Sequence, residues 1–184
     1  VMQLIEGETL YKMLENKTLT IDDAVKLGIL LLNMSQYLLK YDLVHGDIKP
    51  HNIIIEKNSE DIIFKIIDFG NVTEIFSTST KAGTPSFLSP ERFKDEAISE
   101  SSEIFSIGVT LYIALTGKYP YGEIEPFQSP MFKEPKKPSF YNNNIPDWFD
   151  SVILRSIALD KEHRYLYYSE MLYELKFPMN VKPF

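Results

Sequence analysis

At 184 residues, with 44% hydrophobic and 13% aromatic residues, the chain is long enough for one domain, or one large lobe of a domain, with a real core. Its formal net charge of −7 argues against a general nucleic-acid binder, which needs a basic surface to neutralise phosphates. The absence of cysteine excludes disulfides and thiolate metal sites and fits a reducing, cytoplasmic compartment; no apolar run reaches the length of a membrane span.

In chain order, "VMQLIEGETL" (1–10) has no basic n-region and reads as the end of a strand entering a helix, as if the chain begins in mid-domain. Thr20 followed by Asp23 is an N-cap with an acidic residue in the first turn, and Ile21, Val25, Leu31, Leu32, Leu38 and Leu39 carry a long helix to about Tyr41. "IIIE" (53–56) and "IIFKIID" (62–68) are β-branched runs that predict a hairpin, with Asp68 at the end of its second strand. Residues 68–99 carry loop signals. "SSEIFSIGVTLYIALTG" (101–117) is apolar on nearly every side and predicts a central buried helix, about 101–116, stopped by Gly117. Residues 118–146 hold six prolines and predict an extended surface segment, in which the Lys/Pro stretch 133–138 is a solvated loop. Helices over 147–159 and 168–176 follow, so the fold class is mainly α with a small β-hairpin.

"VHGDIKPHN" (44–52) lies between the long helix and the hairpin, and "DFG" (68–70) follows the hairpin. That order brings Asp47, Asn52 and Asp68 close together. Two carboxylates and an amide oxygen suit Mg²⁺, which takes hard oxygen ligands and also bonds phosphates. Asp47 has the chemistry to accept a hydroxyl proton, and Lys49 to stabilise charge on a transferring phosphoryl group. This is equipment for phosphoryl transfer, where catalysis is mostly positioning and electrostatics.

"HGDIKPHN" resembles the catalytic loop of eukaryotic-type Ser/Thr protein kinases, H-x-D-x-K-P-x-N. "DFG" resembles the start of their activation segment, "GTPSFLSPE" (83–91) its end, "EIFSIGVTLYIALTGKYPY" (103–121) their central helix F, and "LDKEHRY" (159–165) the element whose arginine pairs with the glutamate of A-P-E. The resemblance implies a kinase C-terminal lobe over 1–184, an α+β kinase fold without its N-terminal lobe. Its parts are a hinge strand at 1–6, a catalytic loop at 45–52 and an activation segment at 68–91. It implies ATP with Mg²⁺, or Mn²⁺ in its place, as cofactors. Asp47 is then the catalytic base, Lys49 contacts the transferring phosphate, and Asn52 and Asp68 hold the metal. His45 and Phe69 stack within the internal apolar spine, Thr84 touches the catalytic loop and helps select hydroxyl substrates, and Glu91 pairs with Arg164. Met2 is the gatekeeper, the backbone of Gln3, Leu4 and Ile5 meets adenine, and Ile54 floors the adenine pocket. The partners implied are a protein substrate and the N-terminal lobe, and the face that lobe would cover, near His45, Phe69 and Met2, is expected to favour a homodimer.

Three departures qualify the resemblance. Gly46 stands where the family usually has an arginine, which weakens control by loop phosphorylation. Glu103 stands where helix F usually has an aspartate, so its hydrogen bonds are expected to be rearranged. No glycine-rich loop, strand lysine or helix C glutamate precedes Val1, so the chain is expected to be a fragment that is inactive alone. "YGEIEPFQSPMFKEPKKPSFYNNNIPDWF" (121–149) also looks like the corresponding region of bacterial proteins that fuse a metal-dependent phosphatase to a C-terminal kinase domain, a group often tethered to the membrane by later sequence.

Blander readings stand beside these. His45 is a buried structural histidine, Asp68 a turn starter, and Ser77–Thr80 a hydroxyl-rich loop rather than a phosphosite. A small-molecule phosphotransferase of the aminoglycoside-kinase kind is an alternative, since its loop also often reads H-G-D-x-x-x-x-N; Lys49-Pro50 and "GTPSFLSPE" favour the protein kinase. A pseudokinase-like interaction module is the third class.

Overall fold

The computed structural model describes residues 7–57, 61–78, 83–128 and 130–184. The expected hinge strand, with Met2, Gln3, Leu4 and Ile5, lies outside the described residues, as do Ser79 and Thr80.

Five α-helices and two small antiparallel sheets make up the described fold. Strand β1 (Glu8–Thr9) runs into helix α1 (Leu10–Leu14), whose first turn is capped by the Thr9 side chain accepting from the Lys12 amide. Helix α2 (Ile21–Leu39) starts at Thr20, whose hydroxyl accepts from the Asp23 amide at 3.1 Å and donates to the Asp23 carboxylate at 2.7 Å. It buries Ala24, Leu27, Leu31 and Leu32 along one face. It closes at Leu39 rather than Tyr41, because Lys40, Tyr41 and Asp42 turn back onto carbonyls three residues earlier.

Strand β2 (Leu43–Val44) pairs with β5 (Thr73–Glu74). Strands β3 (Ile53–Lys57) and β4 (Ile62–Ile66) form the hairpin, with Ile55 opposite Phe64, and β1 adds to its other edge with Thr9 opposite Ile54. The expected hairpin is thus two strands of a three-stranded sheet, and β2 with β5 forms a second, separate sheet. Its second strand ends at Ile66, because Asp68 adopts a left-handed backbone, φ +62°, that no strand accommodates.

Helix α3 (Glu100–Thr116) is the centre: fourteen of its 17 residues are buried, so it can only be an interior helix. Ser99 and Ser102 cap each other's amides at its start. Gly117, at φ +66°, ends it by donating to the Ile113 carbonyl, a conformation that favours glycine. Helices α4 (Asp147–Ser156) and α5 (Tyr168–Lys176) complete the core with Phe149, Val152, Ile153, Met171, Leu172 and Leu175. Leu175 and Leu111 close over Gly28, so α5, α3 and α2 meet at one point. Helix α4 stops three residues short of the expected 159, where the amides of Ile157 and Ala158 turn back onto the final turn.

Within the segment 118–146, the Lys/Pro stretch 133–138 is mostly exposed, as expected of a solvated loop, but is anchored at the Lys136 carbonyl and at buried Pro138. Tyr112 donates to the Lys136 carbonyl at 2.7 Å, Tyr121 donates to the Ile157 carbonyl at 2.6 Å, and Ile124, Pro138 and Ile145 are buried. The hydroxyls of buried Tyr112 in α3 and of half-buried Tyr121 within the run thus hold this proline-rich segment against the core.

Candidate active site

The 44–52 segment is held from three sides. Pairing of β2 with β5 fixes its entry, and a single 3-10 turn, Pro50–Asn52, leads directly into β3. The Ile67 amide donates to the Asn52 carbonyl at 2.9 Å, so the residues after β4 begin beside Asn52. Below, Ile48 is buried and its carbonyl accepts from Thr110 of α3 at 3.5 Å.

Asp47 is the focus, 6% exposed. Its Oδ1 accepts from the Thr84 amide at 3.1 Å and the Thr84 hydroxyl at 2.9 Å. Its Oδ2 lies 2.8 Å from Lys49 Nζ, and 3.3 Å from the side-chain nitrogens of Asn52 and Asn71. Lys49 also donates to Thr84 Oγ1 at 2.6 Å, so lysine, threonine and aspartate form a closed triangle. Burial alone would raise the Asp47 pKa; the hydrogen bond and charge of Lys49, with the bonds from Thr84 and Asn52, outweigh it and hold the carboxyl below its ordinary value. A buried carboxylate kept ionised beside a lysine can accept a proton and direct a charged group.

Asn52 donates to the Asp47 carbonyl at 2.9 Å and to its carboxylate, so its amide nitrogen is committed and its oxygen is turned elsewhere. Asp68 is exposed, and its Oδ1 accepts from the Gly70 amide at 3.1 Å in a local turn. This is the local bond of a turn starter, and it uses only one of the two carboxylate oxygens. Among the described residues no group of three or more His, Cys, Asp or Glu could hold a metal unaided. Asn52 and Asp68 offer two hard oxygens, a donor set that fits a cation completing its shell with phosphate and water.

His45 is fully buried. Its Nδ1 accepts from the Asp47 amide at 3.3 Å, and Nε2 has no hydrogen-bond partner among the described residues. Burial lowers its pKa against the carboxylates around it, consistent with a neutral structural ring. Phe69 meets it at 5.1 Å with the planes tilted by 56°, an inclined contact rather than the expected stack. Phe69 is 49% exposed, whereas His45 contributes nothing to the apolar surface expected near it. Ile54 is half-buried in β3, facing away from buried Ile53 and Ile55.

Gly46 has φ +81°, and a Cβ there would lie 2.7 Å from the Asn71 carbonyl oxygen. Its amide donates to Glu103 Oε2 at 2.9 Å. Arg164 and Glu91 form a buried, bidentate pair that ties the end of the 68–91 segment to the residues before α5. Sequence reasoning overlooked Asn71 and the residues gripping Glu103. Asn71 follows "DFG" directly, and its position there was the available signal.

Against known protein families, the chain matches the protein kinase domain over residues 1–172. It is 32% identical to a probable serine/threonine-protein kinase of Clostridium acetobutylicum, over 99% of this chain and 28% of that protein. It is 29% identical to the serine/threonine-protein kinase PrkC of Bacillus subtilis, over 96% of this chain and 28% of that protein. The chain therefore spans little more than a quarter of the length of these relatives. Among solved structures, the Cydia pomonella granulovirus kinase PK-1 is similar with a TM-score of 0.76 at 22% identity, covering 89% of this chain and 63% of that one; this likeness concerns the fold.

Proposed function

This chain belongs to the protein kinase domain family, and from that premise we propose that it supplies the catalytic lobe of a serine/threonine protein kinase. The observation that carries the reading is the triangle of Asp47, Lys49 and Thr84. It joins the carboxylate of the 45–52 loop to the start of "GTPSFLSPE", the feature that favoured a protein substrate over a small molecule. Asp47 accepts the proton of the substrate hydroxyl as it attacks. Lys49, already beside that carboxylate, is placed to shift toward an incoming phosphoryl group. Thr84 holds the carboxylate in position.

ATP is the phosphoryl donor in this reading. Asn52 and Asp68 would hold Mg²⁺, which when bound offsets the negative charge of the phosphates. The glycine-rich loop and lysine that protein kinases use on the nucleotide have no counterpart in these 184 residues, so the reaction is assigned to a full-length protein that carries them.

In that protein, Asp47→Asn should lower kcat about 10²–10⁴-fold with little change in the KM for ATP, because a general base acts in the transition state. Asp68→Asn should abolish turnover by weakening the metal. Wild-type activity in Asp47→Asn would refute the assignment.

A further inference from the structure

Glu103 is a buried carboxylate, 2% exposed, served by donors from three separate elements. Its Oε2 accepts from the Gly46 amide at 2.9 Å in the 45–52 loop. Its Oε1 accepts from the Ser35 hydroxyl of α2 at 2.8 Å and from the Tyr168 hydroxyl, at the first residue of α5, at 3.1 Å. Ser35 and Tyr168 are both fully buried, so neither hydroxyl has water as an alternative partner.

We propose that Ser35 and Tyr168 are positioning residues for the 45–52 loop, acting on it through Glu103. One oxygen of the carboxylate faces the loop and the other faces the α2–α5 seam. Because the two oxygens are rigidly joined, fixing Oε1 fixes the direction in which Oε2 meets Gly46. An aspartate, one methylene shorter on the same helix, would lack the length to span both sides, so the longer residue and the two hydroxyls form a matched set. Gly46 is the hinge on which the set acts. It has the left-handed backbone described above, with the Asn71 carbonyl behind it, and its neighbour Asp47 carries the triangle with Lys49 and Thr84. Burial first, and then the Glu103 charge, push the Tyr168 phenol well above its ordinary pKa, so it remains a donor throughout the working range of the protein. The geometry stands on its own; its consequence for catalysis rests on the kinase reading above.

The test is amide hydrogen exchange at Gly46, followed by NMR in the ¹⁵N-labelled chain 1–184. Tyr168→Phe keeps the ring and removes only the hydroxyl; it should speed Gly46 exchange roughly tenfold, the equivalent of about one hydrogen bond. Ser35→Ala should act in the same direction, and Ser35→Thr, which retains the hydroxyl, should restore most of the protection. The amides of Leu111 and Leu115 in α3 should keep their wild-type rates. In a Glu103→Gln background, Tyr168→Phe should add little, because the connecting carboxylate has gone. Unchanged Gly46 exchange in both Tyr168→Phe and Ser35→Ala would overturn the proposal. So would an equal acceleration at Leu111 and Leu115, which would indicate general loss of stability. In the full-length protein, Tyr168→Phe should lower kcat and leave the KM for ATP unchanged. A wild-type protein without kinase activity would overturn the functional reading, while Gly46 exchange would still decide the positioning role.

Discussion

Arg164 and Glu91 lie 73 residues apart in the chain and meet as a two-pronged pair, Nη1 to Oε1 at 2.7 Å and Nη2 to Oε2 at 3.1 Å. The same guanidinium donates to the carbonyls of Ala158 and Ser101, so one side chain joins the 68–91 segment, α3 and the chain after α4. Its charged group is fully buried. Arg164→Ala should therefore destabilise the fold by about 3–5 kcal/mol, since it strands a buried carboxylate and removes donors from two carbonyls. Urea denaturation measures this, and an unchanged midpoint would show that the pair contributes nothing.

The same pair sets an acid limit on stability. Burial alone would raise the pKa of Glu91, but the hydrogen bonds and charge of Arg164 outweigh it and the value falls below the usual glutamate range. The contribution of Glu91 is therefore complete above its unfolded value of about 4.3 and is lost as pH falls through the lower folded value. Denaturation midpoints measured across that range should fall less steeply in Glu91→Gln than in the wild type, from a lower starting point at neutral pH. Parallel curves would remove Glu91 from the account.

Lys49 is the main group holding the Asp47 carboxyl below its ordinary pKa. Lys49→Met removes both the charge and the hydrogen bond and leaves burial as the largest remaining influence. The Asp47 pKa should rise, measured by carbon NMR of the labelled carboxyl in the chain 1–184. No rise would mean that Thr84 and Asn52 suffice.

Much of this fold was legible before the structure. Thr20 marks a helix start, Gly117 marks an end, and α3 declares its burial by being apolar all round, whereas the cap at Ser99 went unread. Strands β2 and β5 were not legible, because two residues are too few to show a period. The site was legible as a set of residue types and much less so as a network. Asn71 reaches Asp47 only because the backbone reverses at Asp68, and Ser35 and Tyr168 meet Glu103 only through the packing of three helices. Hydrogen bonds between elements 65 or more residues apart leave no local pattern to read.

Restoring the family's usual arginine by Gly46→Arg should not create control by phosphorylation. At φ +81°, with the Asn71 carbonyl oxygen 2.7 Å from the new Cβ, the loop must shift. The strain should cost about 1–3 kcal/mol and loosen the bond between Asn71 and Asp47. Thermal denaturation, together with the chemical shift of the Asn71 side-chain amide, reports both effects; a variant as stable as wild type would show that the loop adapts freely.

The chain 1–184 should not bind Mg·ATP saturably at micromolar nucleotide, because the groups that grip the α- and β-phosphates in protein kinases have no counterpart in it. Isothermal calorimetry decides this, and micromolar affinity would mean that the 45–57 region and Asp68 suffice for the nucleotide.

The convergence of α2, α3 and α5 around Gly28 also governs how the chain can be made. Leu175 leaves the ribosome more than sixty residues after Leu111 and more than a hundred after Gly28, the residues it meets. Until α5 emerges, the apolar faces of α2 and α3 lack one of their covers. The seam between α2 and α3 therefore stays open until α5 has been made, and the productive collapse of this region waits for it.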